Sequence, residues 1–396
     1  MAGSRIVALN ALRFAAVATC LLVALACFLF VDKERERIAL ASFYASFPPD
    51  LLLWNNTAAM SVAIAWPEPM EYDSKSYPAY RPLLDIVKAW SPDIPDISGQ
   101  FQETLQHFNY SDPREREMAS RYRDAEVPFK IYNIPDFNEV VQKWSDDRYL
   151  SYELKRRRNH VERSASNHFM YWSAQGKGRR DYNPPTDIVD DMTFESWLAI
   201  AKRADMAKSS LNNTKHYYFM SNSAHGNKQG FIAQDLKVFT TRKENFFITN
   251  VKANKGIQCR FGMRGIIAEA HYDSGRNMVA MLKGRKRYIL TPPETCKQLG
   301  IISDPRHPSY RHSVIDWSDI TQATTYKFDQ VPAIDTIVNK GEVLYIPSYW
   351  FHYIVSLEYS IQCNSRSGSP PREEGEKHIK ACLGVNQLGR KKSRVA

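Results

Sequence analysis

Two histidines and one aspartate are the residues whose types and spacing best permit chemistry. His271 and Asp273 lie two residues apart, and His352 follows in a later apolar segment. Residues two apart in a β-strand point to the same face, so His271 and Asp273 can reach one metal ion while Tyr272 faces away. Two imidazoles and one carboxylate are the facial ligand set of non-haem Fe(II) sites, which leaves coordination positions open. The pattern predicts a metal site that a later strand completes.

The sequence around His352 favours burial of this third ligand. A turn and apolar strand at residues 341–347 precede it, and aromatic residues stand directly before it. A buried imidazole requires a partner, and a metal ion is one candidate. His307 and His312 lie between the ligands in a segment typical of a surface loop. We expect neither to be a ligand, although they are the natural substitutes for His352.

Lys286 is the candidate for binding an anion beside the metal. If its strand lies next to the strand of His271, its ammonium group can neutralise the distal carboxylate of a metal-chelating dicarboxylate. The alternative is a solvated basic turn, which we expect for the neighbouring Lys283, Arg285 and Arg287.

Short strand-like runs surround these residues, and helical runs precede them. The predicted strands are 127–132, 167–172, 217–220, 246–251, 257–263, 266–270, 277–282, 287–290, 336–338, 343–346, 352–356 and 359–364. Helices are predicted at 83–89, at 136–144 and after Thr193, where apolar residues recur with helical spacing. Many short strands after a few helices predict a mainly β fold. It would be a double-stranded β-helix of the jelly-roll or cupin kind, with a helical N-terminal buttress.

The two motif segments together resemble the cupin-like JmjC dioxygenases, most closely their factor-inhibiting-HIF-like branch. HYDSGRNMVAMLKGRKRYILTPP and LYIPSYWFHYIVS carry the resemblance, which extends more loosely over residues 127–364. It implies that His271, Asp273 and His352 bind Fe(II). It also implies that Lys286 holds the far carboxylate of the cosubstrate 2-oxoglutarate.

The resemblance assigns roles to three further side chains and reveals one departure. Tyr218 matches the tyrosine that assists the lysine. Asn277 and Asn364 match inward asparagines near the cosubstrate and the metal, with a structural hydrogen bond as the alternative for both. Ala268 stands three residues before the first iron ligand, where this branch commonly has a threonine that hydrogen-bonds the cosubstrate. The change would weaken 2-oxoglutarate binding unless another hydroxyl replaces the lost one.

The activity implied is that of an Fe(II)- and 2-oxoglutarate-dependent dioxygenase that hydroxylates a protein or peptide side chain. Two alternatives stay open. A non-catalytic cupin-like binding module is compatible with Ala268, and a JmjC lysine demethylase is compatible with the family. An apolar N-terminal segment argues against the chromatin location that demethylation of histones requires. The substrate itself is not determined by the sequence.

The apolar run at residues 14–31 predicts a single-pass transmembrane signal anchor. Eighteen residues that each rise about 1.5 Å nearly cross a hydrocarbon core of about 30 Å. We expect the short tail 1–13 to stay cytosolic and the folded part to lie in the lumen of the secretory pathway. A cleaved signal peptide is the alternative, because residues 24–26 resemble a cleavage site. The Asn-x-Ser/Thr sequons at Asn55, Asn109 and Asn212 are compatible with a lumenal location.

Composition and cysteine spacing restrict the remaining organisation. Proline-rich residues 38–115 are predicted to form a stalk or arm, and 116–396 the cupin-like domain. The net charge of +10 is spread among many acidic residues, which makes nucleic acid an unlikely partner, and the oligomeric state is open. The cysteines outside the apolar run show no C-x-x-C spacing, so two disulfides and buried free thiols both remain possible.

Overall fold

The computed structural model describes most of the chain after residue 75. The described ranges are 76–155, 159–172, 183–207, 215–224, 230–304, 306–368 and 374–383. By its internal contacts the chain divides after Pro67, and all these ranges lie in the second unit. No helix within them is long and apolar enough to cross a membrane. The predicted anchor at 14–31 lies outside the described ranges, so it stays a prediction.

The smaller of two sheets in the described ranges has six strands. In spatial order they are β1 (Arg81–Pro82), β12 (Pro332–Asn339), β11 (Arg285–Thr291), β14 (Phe351–Ser356), β9 (Ile267–Tyr272) and β5 (His168–Phe169). Neighbouring strands are antiparallel except β5 and β9, which run parallel. This sheet carries His271, His352 and Lys286 on the three adjacent strands β9, β14 and β11.

The larger sheet has nine described strands. In spatial order they are β2 (His107–Asn109), β3 (Phe129–Tyr132), β13 (Val343–Ile346), β10 (Asn277–Lys283), β15 (Ser360–Ser367), β8 (Asn254–Gly262), β7 (His216–Ser223), β4 (His160–Ser164) and β6 (Asp187–Ile188). The pairing is antiparallel throughout except between β2 and β3. Tyr218, Asn277 and Asn364 lie on this sheet.

The inner faces of the two sheets meet at a close approach near Gly262. A Cβ atom added to Gly262 on β8 would lie 3.4 Å from Nζ of Lys286 on β11. Along β11 the side chains alternate, as residues two apart on a strand must. Tyr288 and Leu290 join the core that includes the larger sheet, whereas Ile289 joins a second core on the opposite face. The predicted mainly β, double-sheet fold is confirmed.

Helices cover the outer surfaces of both sheets. In the described ranges they are α1 (Leu83–Ala89), α2 (Pro113–Asp124), α3 (Pro135–Ser145), α4 (Asp147–Leu154), α5 (Phe194–Ala207), α6 (Phe231–Asp235), α7 (Ile320–Thr325) and α8 (Glu374–Leu383). Trp144 of α3 and Trp197 of α5 are fully buried and lie within 6.3 Å of the ring of Phe261 on β8. These contacts form the predicted N-terminal helical buttress.

Residues from 76 onward pack against the sheets rather than extend as a stalk. β1 pairs with β12, and α1 buries Leu83 and Ile86 in the second core. Pro82 precedes the helix and fixes the backbone angle at its start. The stalk therefore remains a prediction only for residues 38–75, which lie outside the described ranges.

Arg287 is fully buried, and the prediction of a solvated side chain is wrong. It lies on the outer face of β11, where α1 and the following residues exclude water. Its guanidinium group forms two hydrogen bonds of 2.8 and 2.7 Å to Asp335 and lies 3.9 Å from the ring centroid of Trp90. Lys286 occupies the inner face, so the two neighbouring cations have separate environments.

Residues 246–251 do not form the predicted strand. The side-chain oxygen of Asn245 accepts hydrogen bonds from the backbone N–H groups of Phe247 and Ile248 at 2.9 and 2.7 Å. Such a local turn competes with strand pairing. The aromatic residues of this segment pack against Tyr110 instead. Of the predicted strand at 167–172, only β5 (His168–Phe169) forms.

Candidate metal centre

The three predicted ligands converge at one end of β9 and β14. His271 and His352 are directly opposite each other in the register of these strands, and Asp273 follows β9 immediately. One ligand atom from each of the three residues lies within 4.8 Å of the other two. A register shift between His352 and Ile354 locally changes the pairing and brings the two histidines to the same level.

Backbone carbonyls orient both imidazole rings. Nδ1 of His271 lies 2.7 Å from the carbonyl oxygen of Glu269, and Nδ1 of His352 lies 3.1 Å from that of Trp350. A histidine that donates from Nδ1 presents the lone pair of Nε2 to a metal. The donor set therefore fits a divalent cation bound through Nε2 of each ring.

The electrostatic environment favours the metal-binding protonation states. Burial lowers the pKa of His271 well below its ordinary value, and His352 adds to the effect. Burial also lowers the pKa of His352. Burial alone would raise the pKa of Asp273, but the Arg366 guanidinium and then His271 hold it well below its usual range. Neutral imidazoles and an ionised carboxylate are the forms that bind metals.

His312 is part of this centre, and its predicted position on a surface loop is wrong. It is buried, and its ring stacks on His271 with centroids 4.8 Å apart. Burial lowers the pKa of His312 to about 4, so it supports the site as a neutral ring. The segment reaches inward because the backbone of residue 312 bridges to His271 and the N–H of Ser313 donates to Ala270.

Lys286 lies at the bottom of the same interior. It is fully buried, and its Nζ lies 5.3 Å from the ring centroid of Tyr218. Burial, together with the positive charge of Arg260, lowers the pKa of Lys286 to about 7. Burial raises the pKa of Tyr218 to about 12, so the phenol is protonated at neutral pH. Among the described residues no carboxylate pairs with Lys286.

Asn277 and Asn364 form a hydrogen bond with each other. Nδ2 of Asn364 donates to Oδ1 of Asn277 at 2.9 Å, and both side chains are buried. Asn277 lies opposite Arg366 in the register of β10 and β15, and Arg366 contacts the ligand Asp273. The pair therefore adjoins the metal centre, and its role toward a cosubstrate stays a prediction.

The sequence interpretation missed a set of arginines around the centre. Arg366 forms an ion pair with Asp273, and Arg311 approaches the same carboxylate oxygen at 3.4 Å. Arg260 donates to the side-chain oxygen of Asn222 at 3.1 Å. The alternation of side chains along β8 and β15 could have indicated that Arg260 and Arg366 point inward. Only the fold shows that both strands face the ligands.

The chain belongs to the cupin-like domain family. The family model described as a cupin-like domain matches residues 115–365, which is more than half of the chain. Related proteins include JmjC domain-containing protein D of Dictyostelium discoideum, with 29% identity over 114 residues. The domain is thus a JmjC-type cupin-like domain of the Fe(II)/2-oxoglutarate oxygenase superfamily.

Similarity to curated proteins extends over parts of their lengths. The tRNA wybutosine-synthesizing protein 5 of Danio rerio is 22% identical over 189 residues, which is 47% of this chain and 56% of that protein. The lysine-specific demethylase JMJ30 of Arabidopsis thaliana is 31% identical over 101 residues, 26% of this chain and 23% of that protein. The human HSPB1-associated protein 1 is 30% identical over 101 residues, 24% of this chain and 20% of that protein.

Proposed function

We propose that this domain is an Fe(II)- and 2-oxoglutarate-dependent dioxygenase that hydroxylates a protein or peptide side chain. The observation that carries the proposal is the convergence of His271, Asp273 and His352 in the same interior as the buried ammonium group of Lys286. The ligand set alone would suit several metals. Lys286 adds a further requirement. Because this buried cation has no carboxylate partner among the described residues, it needs an anionic ligand.

Each residue has a separate task in this proposal. His271, Asp273 and His352 would hold Fe(II), which supplies the activation of dioxygen that accompanies decarboxylation of 2-oxoglutarate to succinate. Lys286 would bind the far carboxylate, and Tyr218 packs against its ammonium group. The buried aromatic side chain of Trp350, two residues before His352, would exclude water from the reacting centre.

The arginines near the ligands bear on the two alternative functions. A methylated lysine is cationic, and its ammonium group would approach Arg311 and Arg366, which carry the same charge. This repulsion disfavours lysine demethylation. A non-catalytic binding module would not need three oriented ligands, so their geometry favours the enzyme. The same arginines favour a substrate with an acidic group near the hydroxylated carbon.

The test is succinate formation by the full-length chain in detergent, with Fe(II), ascorbate and 2-oxoglutarate. We expect wild-type turnover and at least a hundredfold loss in His271→Ala and Lys286→Ala, because these variants remove a metal ligand and the carboxylate partner. Lys237→Ala changes an exposed lysine and serves as the matched control. Absence of succinate in the wild type, together with no metal binding, would leave the binding module as the better account.

We also propose a lumenal location behind a single membrane anchor. The apolar run at 14–31 supports the anchor. The disulfides Cys259–Cys363 and Cys296–Cys382 support an oxidising compartment. The described residues alone include no membrane span, so this proposal depends on the N-terminal segment.

A further inference from the structure

A buried hydroxyl without a partner lies beside Lys286. Ser356 is 1% exposed, and its Oγ has no hydrogen-bond partner among the described residues. It is directly opposite Lys286 in the register of β11 and β14, so both side chains point into the same interior. A buried hydroxyl that lacks a hydrogen bond costs free energy, which a bound acceptor would recover.

Gly262 on the facing strand leaves room for these two groups. A Cβ atom at this position would lie 2.2 Å from Oγ of Ser356 and 3.4 Å from Nζ of Lys286. The hydroxyl and the ammonium group therefore both lie against Gly262, where any side chain would displace the hydroxyl. A carboxylate is the acceptor that satisfies a hydroxyl and an ammonium group together.

A second cation adjoins this space. Arg260 is the residue two positions before Gly262 on β8, on the same face of the strand. It is partly buried, forms no ion pair with a described carboxylate, and is the one charged group that lowers the pKa of Lys286. Two neighbouring cations in a low-dielectric interior repel each other unless an anion lies between them.

Ser356 also lies where the chain departs from its family pattern. Ala268 is opposite Ile354 in the register of β9 and β14, and Ser356 is two residues further along β14 on the same face. The hydroxyl that a threonine would supply at position 268 is thus available from the adjacent strand.

We infer that Ser356 and Arg260 complete the pocket for the far carboxylate of 2-oxoglutarate, and that the Ser356 hydroxyl replaces the one absent at Ala268. In this pocket Ser356 donates a hydrogen bond to the carboxylate that Lys286 binds, and Arg260 adds positive charge. The inference rests on the proposed function, because it presumes that 2-oxoglutarate is the cosubstrate.

The test is calorimetric titration of 2-oxoglutarate into the full-length chain loaded with Mn(II) in the absence of dioxygen. Ser356→Ala should weaken binding about tenfold, the effect of one hydrogen bond to a charged group. Adding Ala268→Thr to that variant should restore most of the affinity. Ser365→Ala is the control, because its hydroxyl lies on the opposite face of β15, within hydrogen-bond distance of the side-chain oxygen of Asn254 and a backbone carbonyl oxygen.

Arg260→Met provides a second readout that a purely structural residue would not give. It should weaken 2-oxoglutarate binding about tenfold and raise the melting temperature of the ligand-free protein, because it removes repulsion with Lys286. A variant that merely disturbs packing would lower both the affinity for 2-oxoglutarate and the melting temperature.

The outcomes separate this inference from the proposed function. A wild-type chain that binds Mn(II) but not 2-oxoglutarate would overturn both. Wild-type binding with unchanged affinity in Ser356→Ala and Arg260→Met would overturn the inference and leave the oxygenase intact. Weakened binding in Ser356→Ala without recovery by Ala268→Thr would overturn the replacement of the missing threonine.

Discussion

At the scale of single residues, the interior gathers charges that a folded protein normally separates. Lys286 is fully buried, and Arg366 and Arg311 share the single carboxylate of Asp273. Buried charges without partners reduce stability, so their presence here indicates a ligand that compensates for them. The same arrangement that binds an anionic cosubstrate therefore weakens the ligand-free state.

Lys286→Met should stabilise the ligand-free protein near neutral pH. The folded-state pKa of Lys286 is lowered to about 7 from an ordinary value of 10.5. Between these values the unfolded chain binds more protons, so the stability of the wild type falls as pH decreases from about 10 to about 7. The variant should be more stable at pH 7 by about 4 kcal/mol, and its stability should vary less over this range.

Urea unfolding at several pH values, without metal or 2-oxoglutarate, measures this difference. Lys237→Ala is again the control for an exposed lysine. Equal stability of wild type and Lys286→Met across the whole pH range would show that the ammonium group is compensated within the protein.

At the scale of elements, two strands of the smaller sheet position the metal ligands, and α1 covers the outer face of that sheet. The ion pair of Arg287 with Asp335 joins β11 to β12, and the guanidinium group donates to the carbonyl oxygen of Trp90 at 2.9 Å. This contact fixes the segment after α1 against the strand that carries Lys286. The second core thus supports the strands that carry the site.

Arg287→Met should destabilise the protein by about 3 to 5 kcal/mol, because it leaves the carboxylate of Asp335 buried and unpaired. The double variant Arg287→Met/Asp335→Leu should recover much of this loss, since it removes both charges. Arg285→Met, on the same strand, breaks a half-exposed pair with Glu358 and should cost less than about 1 kcal/mol. Chemical denaturation measures all three, and equal losses in Arg285→Met and Arg287→Met would contradict the prediction.

At the scale of the whole molecule, two disulfides join distant parts of the chain. Cys259–Cys363 links β8 to β15, and Cys296–Cys382 ties α8 to the turn after β11. Closing long loops restricts the unfolded chain, so both bonds should stabilise the fold. The disulfides also support the proposed lumenal location, because disulfides persist in oxidising environments.

The predicted lumenal location can be tested on the protein from its cells. After alkylation of free thiols and without reduction, mass spectrometry should find Cys296 and Cys382 in one disulfide-linked peptide pair, and the chain should resist carbonate extraction from membranes. A reduced sample is the control for labelling. Alkylated Cys296 and Cys382 in unreduced protein would place the domain in a reducing compartment.

The sequence by itself determined the parts of this protein that depend on local periodicity and motif. The alternation along β11 placed Lys286 and Arg287 on opposite faces, and the His-x-Asp spacing placed two ligands on one side of the chain at the end of β9. α1 and β13 have the predicted bounds. These features depend on residues two to four positions apart, which sequence patterns represent directly.

Only the tertiary structure decided which distant residues share an environment. The burial of Arg287 depends on α1, and the stacking of His312 on His271 depends on a loop that folds inward. Ser356 shares an environment with Lys286 and Arg260 because the two sheets face each other. The pairing of strands far apart in the chain creates these contacts, so no local pattern contains them.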